Sequence, residues 1–199
     1  QAVGPAVGIY DAPEGAYLGD LYNPLPSGAE RVFLVTGARD DWYEVLLPVR
    51  PNQRKGWVRG SEVSISSHSY SMVIELGVHR LTVFEGEAPI QVERIGVGKA
   101  NTPTPGGLYY TKELIEIVDG AGRLYPHGPY GPFAFGLSGF SEVFRSFGDG
   151  GDGTVGIHGT DDPSSLGRDV SAGCIRMSNE AVTRLAGLLP LGVPVEIRP

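Results

Sequence analysis

Two runs decide the fold class: Ser71-Met72-Val73-Ile74-Glu75-Leu76 and His79-Arg80-Leu81-Thr82-Val83-Phe84, with only Gly77 and Val78 between them. Every second residue is apolar in each run (Met72, Ile74, Leu76, then Leu81, Val83), the period of a strand with one face in a core. The intervening glycine predicts a hairpin turned at Gly77. Further short runs follow at Ile90 to Val97, Leu108 to Thr111, Leu114 to Val118 and Thr154 to His158, without the alternating helices of a parallel β-α-β fold. One helix is predicted: Ser178 caps its start, Val182, Leu185, Ala186 and Leu189 share a face, and Pro190 ends it. Val193 to Ile197 closes the chain as a strand. The 30 glycines and 16 prolines among 199 residues fall between these runs, as in a turn-rich β protein.

Before the hairpin, Arg31 to Thr36 and Trp42 to Leu47 are strand-like pieces separated by Gly, Pro and Asp, and they predict a small barrel. Trp42 and Trp57 are read as its core aromatics, with a glycan or peptide groove lined by the same rings as the alternative. The serine-rich Ser64 to Ser69 marks a boundary, giving residues 1–66 as one domain and 70–199 as a second. Between Asp119 and Gly153 a long stretch dense in glycine and proline predicts an irregular loop, able to act as a lid that carries Tyr130 and Phe133.

Composition excludes several classes. Hydrophobic residues at 41% and charged residues at 20% are those of a folded globular chain. A net charge of −7 argues against nucleic acid, whose binding rests on lysine and arginine neutralising phosphates. No apolar run approaches the roughly 20 residues of a membrane span. The chain opens at Gln1, so an export signal is taken to be absent from the given sequence. The one cysteine, Cys174, permits no internal disulfide and no multi-cysteine zinc site, so neither metal nor cofactor is expected.

Cys174 lies in Val170-Ser171-Ala172-Gly173-Cys174-Ile175-Arg176-Met177, sixteen positions after His158. A thiol ordinarily loses its proton near pH 8.5, so a cysteine nucleophile needs a neighbouring base, and His158 is the candidate. Proximity to that imidazole is expected to keep the sulfur ionised at neutral pH. Gly173 permits a tight turn, and the backbone amides of Gly173 and Cys174 are candidates for holding an oxyanion. The Gly159 carbonyl is the candidate for fixing the second nitrogen of His158. Asp161 and Asp162, before Pro163, are read as a turn. His68, His79 and His127 have no patterned partner and are given no role.

The run from Ile157 to Met177, I-H-G-T-D-D-P-S-S-L-G-R-D-V-S-A-G-C-I-R-M, resembles the signature of the YkuD-type L,D-transpeptidases. Gly96-Val97-Gly98-Lys99 and Thr104-Pro105-Gly106 are similar to that family's upstream pattern, so the resemblance spans about Tyr70 to Pro199. Asp40 to Val45 with Gly56-Trp57-Val58 resembles a bacterial Src-homology-3-like domain. The implied fold is mainly β: a small Src-homology-3-like barrel, then a YkuD-type β-sandwich or barrel with one helix near the C-terminus. The implied reaction transfers a peptidoglycan stem peptide through a thioacyl-enzyme on Cys174, releasing D-alanine and forming 3-to-3 cross-links in cell-wall biogenesis and the maintenance of cell shape. His158 would be the base, Gly159 its orienting group, and Arg176, Ser171 and Tyr130 would contact substrate. Donor and acceptor stems are the implied partners, carbapenem-type compounds the implied covalent inhibitors, and the cell envelope or exterior the implied location. An L,D-carboxypeptidase, or a non-catalytic wall-binding protein, is the alternative. Ala172 stands where many members have histidine, which removes a second imidazole from the thiol's surroundings.

Overall fold

The computed structural model describes residues 1–147 and 151–199. Its strands are β1 (Ala6–Tyr10), β2 (Tyr17–Tyr22), β3 (Val35–Arg39), β4 (Trp42–Leu46), β5 (Lys55–Arg59), β6 (Tyr70–Glu75), β7 (Arg80–Glu85), β8 (Ala88–Arg94), β9 (Val97–Gly98) and β10 (Gly107–Glu116). They continue with β11 (Phe133–Phe140), β12 (Thr154–His158), β13 (Asp169–Ser171), β14 (Ile175–Arg176) and β15 (Pro194–Arg198), and α1 (Asn179–Leu188) is the α-helix among the described residues. The protein is mainly β with one helix, as the alternating runs predict.

Strands β1 to β5 form an antiparallel sheet in the order β2-β1-β5-β4-β3, with its own core of Val7, Ile9, Phe33, Val45, Leu47 and Val58. The third strand starts at Val35 and not at Arg31. Arg31 is bonded elsewhere: its amide donates to Asn23 Oδ1 (2.7 Å) and its Nε to the Tyr22 carbonyl (2.5 Å), while the Leu34 carbonyl still accepts from the Leu46 amide of β4. Trp42 is buried, edge-on to Tyr10 at 5.0 Å, with its Nε1 donating to Glu14, while Trp57 is half-buried in β5.

The second sheet has eight strands in the order β14-β12-β11-β10-β15-β6-β7-β8, and β9 pairs with β13 beside it. The hairpin of β6 and β7 pairs Met72 with Val83 and Ile74 with Leu81, and all four side chains are buried. Its turn takes its left-handed residue at His79 (φ 52°) and not at Gly77, and the His79 ring bonds Asp169 at 2.8 Å. Ser178 caps α1 by accepting from the Ala181 amide, and Ala181, Val182 and Leu185 pack into the core against β11 and β12.

Two expectations are corrected here. The runs Leu108 to Thr111 and Leu114 to Val118 are parts of one strand, β10, whose register shifts between Thr111 and Glu113. This bulge lets β10 pair first with β15 and then with β11. The expected irregular stretch from Asp119 to Gly153 contains β11, a strand at the centre of the sheet; residues 148–150 of that expected lid lie outside the described residues. The glycines of Phe133-Ala-Phe-Gly-Leu-Ser-Gly-Phe140 read as turn signals but serve close packing. A Cβ on Gly139 would lie 2.4 Å from the Tyr109 ring, and one on Gly136 would lie 2.6 Å from the Glu113 carboxylate. Gly139→Ala is therefore expected to destabilise the protein by about 1–3 kcal/mol, since the buried ring must shift in a packed core, and chemical denaturation checks it.

The two sheets are joined by side chains of the β4–β5 loop. Arg50 donates to the carbonyls of Ser141 (2.6 Å), Phe144 (3.0 Å) and Asp152 (3.1 Å), with its guanidinium 4.7 Å from the centre of the Phe140 ring. Asn52 bonds both the amide and the carbonyl of Phe140, at 2.9 and 2.8 Å, as a strand neighbour would. Ser27 donates to Glu113 at 2.6 Å. The Ser64 to Ser69 stretch is exposed and has no regular structure.

Candidate active site

Strand β12 ends on His158, and β14 lies parallel to it with Ile157 opposite Ile175 and His158 opposite Arg176. Both isoleucines are buried in the core. Because side chains alternate along a strand, His158 and Arg176 belong to the opposite face, and Cys174, immediately before β14, borders the same cavity. That face lines a cavity of about 780 Å³ reached by Cys174, His158, Arg176 and Tyr130. Leu21, Leu25, Ser27 and Arg31 of the first sheet's loops and strands close its far side; neither tryptophan lines it.

The turn before Cys174 is held from several directions. Gly173 sits at φ +125°, a conformation that side chains rarely adopt. Ser171 Oγ accepts from the Gly173 amide (3.0 Å) and donates to the Cys174 carbonyl (2.6 Å). Thr104 Oγ1 donates to the Gly173 carbonyl (2.9 Å) and accepts from the Gly98 amide (2.9 Å), while Thr102 Oγ1 donates to the Ser171 carbonyl (2.9 Å). A Cβ on Gly98 would meet the Thr102 carbonyl at 2.4 Å, so the Gly-Val-Gly-Lys segment must be bare for the threonines to reach the turn.

Ser171 is 3% exposed and its hydroxyl is engaged inside the turn, where it clamps the cysteine, while the residue also borders the cavity. The Gly173 amide is committed to Ser171, which removes it from the pair expected to hold an oxyanion and leaves the Cys174 amide as the candidate.

His158 is 4% exposed, and its Nδ1 lies 2.6 Å from the Gly159 carbonyl. A carbonyl only accepts, so Nδ1 carries the hydrogen of the neutral ring and Nε2 presents a lone pair. The Tyr130 ring packs edge-on against the imidazole at 4.9 Å. Asn179, which pattern reading passed over, supports this corner: its Oδ1 accepts from the Thr160 amide and its Nδ2 donates to the Pro126 carbonyl. A Cβ on Gly131 would lie 2.7 Å from the Gly159 Cα, so two bare backbones in contact bring Tyr130 to the histidine. Asp162 accepts from the Ser164 amide and hydroxyl and caps a short 3-10 turn.

Burial, opposed by the bond to Gly159 and aided by the nearby Arg176 charge, pushes the His158 pKa down to about 4. The ring is therefore neutral at neutral pH, the form whose Nε2 can accept a proton.

The same depression makes stability depend on pH. Above pH 6.5 the ring is neutral whether the chain is folded or not. Between 6.5 and about 4 the unfolded chain takes up a proton that the folded chain refuses, so stability falls as pH falls, by up to about 3 kcal/mol. His158→Asn should flatten that part of the curve, as read from denaturation midpoints at pH 7, 5.5 and 4.

Comparison with known proteins places these features in a family. The model of the YkuD L,D-transpeptidase catalytic domain matches residues 69–197. The YkuD protein of Bacillus licheniformis is 35% identical over 163 residues, covering 78% of this chain and 86% of the relative. That of Bacillus subtilis is 31% identical over 158 residues, covering 76% and 84%. The crystal structure of L,D-transpeptidase 3 from Mycobacterium tuberculosis, in complex with a faropenem-derived adduct, shares the fold, with a TM-score of 0.53 at 16% identity over 85% of this chain and 95% of that one.

Proposed function

The chain belongs to the YkuD family of L,D-transpeptidase catalytic domains, and from that premise we propose that it transfers peptidoglycan stem peptides through a thioester on Cys174. The observation that supports this reading is the single cavity lined by Cys174, His158 and Arg176, the last two set on one face by the register of β12 and β14.

In the first half-reaction the Cys174 sulfur attacks the carbonyl at the L-centre of diaminopimelate or lysine, next to a terminal D-alanine, and its proton passes to His158 Nε2. The Cys174 amide stabilises the oxyanion. Collapse breaks the C–N bond, His158 returns the proton to the departing D-alanine amine, and the thioester remains. An acceptor amine then attacks the thioester, giving up its proton through His158 and restoring the thiol, which yields a 3-to-3 cross-link. Arg176 and Tyr130 contact the donor. The Nε of Arg176 is buried without a hydrogen-bond partner, and a guanidinium can hold a substrate carboxylate by two bonds.

The five-stranded first sheet is, in this reading, a Src-homology-3-like domain of residues 1–66 ahead of a catalytic domain of residues 70–199, and the protein works outside the cytoplasm on the wall. Burial of Trp42 and the absence of both tryptophans from the cavity favour a catalytic protein over a wall-binding module that uses those rings.

Incubation with a carbapenem or a donor tetrapeptide should add the corresponding acyl mass to Cys174, and purified muropeptides should yield cross-linked dimers with release of D-alanine. A folded protein that gains no mass on Cys174 would defeat the reading. D-Alanine release without dimers would make the protein an L,D-carboxypeptidase.

A further inference from the structure

The cavity extends past the cysteine across the sheet. Glu113 pairs with Gly136 and Gly136 with Gly156, and β14, which starts just after Cys174, runs beside β12, so a row with two bare positions leads across the sheet toward the cysteine. A Cβ on Gly156 would press on the Phe135 carbonyl oxygen at 3.0 Å, so this position stays bare, and both Gly136 and Gly156 border the cavity. Gly136 is covered by the Glu113 side chain. Two inter-strand steps, about 10 Å, separate β14, which follows the cysteine, from the Glu113 carboxylate over Gly136, room for about three residues of extended chain.

The far end of this trough is polar and is completed by the first sheet's side of the molecule. Glu113 is held by Ser27 and lies 3.5 Å from Lys112, and Lys112 also acts on Asp152. These charges answer one another. Arg31 is different: it is 9% exposed, lines the same cavity, and has no carboxylate within 4 Å among the described residues, and its Nε donates to the Tyr22 carbonyl. Glu113 acts on it only from a longer range. A buried cation without an ion-pair partner is costly, and a guanidinium with its terminal nitrogens unused is suited to a bidentate carboxylate. Tyr110, within electrostatic reach of Arg31, has a fully buried hydroxyl with no hydrogen-bond partner.

Resting on the proposed reaction, we infer that Arg31 is a specificity-determining residue that binds a free carboxylate of the donor stem, upstream of the bond that Cys174 attacks. The first sheet would thus contribute directly to substrate selection.

The test uses two lysine-containing tetrapeptide stems that differ only at the γ-linked glutamyl residue, one with its α-carboxylate free and one with it amidated. Full-length Cys174→Ala should bind the acid at least tenfold more tightly than the amide in calorimetry. In the same background Arg31→Gln should reduce the acid to the level of the amide, and Arg31→Lys should keep part of the preference. In wild type, acylation of Cys174 by the acid should be faster than by the amide by a similar factor.

Equal binding of acid and amide with Arg31 intact would overturn the inference, and so would a preference that survives Arg31→Gln. If Arg31→Gln does not fold, Arg31→Lys and the acid-to-amide ratio of the unaltered site decide. A preference in binding without one in acylation would give the carboxylate to the acceptor, against the inference. Failure of the wild type to acylate, with the Arg31-dependent preference intact, would defeat the proposed reaction and keep the subsite; acylation with no acid preference would do the reverse.

Discussion

Cys174→Ala is expected to lower acyl transfer by at least about 10⁴-fold, because no other side chain on this face of the cavity is a thiol and the covalent route ends with its sulfur. The fold should survive. Cys174 is only partly buried, and the turn that carries it is held by the backbone and hydroxyl bonds of Ser171, Thr102 and Thr104, none of which involves the sulfur. Substrate binding should persist as well, so a titratable but inert protein with an unchanged melting profile is the predicted phenotype. Retention of D-alanine release by that variant would remove the sulfur from the reaction.

His158→Ala is expected to reduce kcat/KM by about 10³-fold, with the wild type showing an unusual dependence on pH. The neutral ring is the form that accepts the thiol proton. Its pKa is depressed to about 4 by burial and by Arg176, so activity lost to protonation of His158 should fall away near pH 4 and not near 6.5. Rates of Cys174 acylation between pH 4 and 8, on protein verified as folded at each pH, test this; an acid limb near 6.5 would mean that the ring is far better solvated than its 4% exposure implies. Carrying the same limb into His158→Ala would assign it to another group.

Where sequence reading succeeded and failed follows from the range of the forces involved. The β6–β7 hairpin and α1 were legible because strand alternation and a capping serine are local signals. The candidate site was legible because His158-Gly159 and Gly173-Cys174 each need a particular backbone next to a particular side chain. Strand β11 was not legible: its glycines answer to Tyr109 and Glu113, distant in the chain, yet a glycine that yields to a neighbour's ring looks the same as one in a turn. Nor were the clamps on the nucleophile. Ser171 reads as a polar residue beside a reactive one, and only its bonds to the Gly173 amide and the Cys174 carbonyl show that its hydroxyl is occupied. Asn179 lies at the start of α1, where it reads as ordinary helix-start chemistry, and its partners at Thr160 and Pro126 are set by tertiary packing. The role of the first sheet in closing the cavity had no local signature.

Arg50 and Asn52 bear on how such an enzyme would reach its work. An anchor on a slack tether lets its catalyst sweep the volume that the tether allows. Here the grip on Phe140, Ser141 and Phe144 bypasses the exposed Ser64 to Ser69 segment and sets the two halves at one bearing. Whatever surface captures the first sheet would also aim the groove, so the choice of strands to be joined would be a matter of standoff and heading, fixed before any peptide arrives.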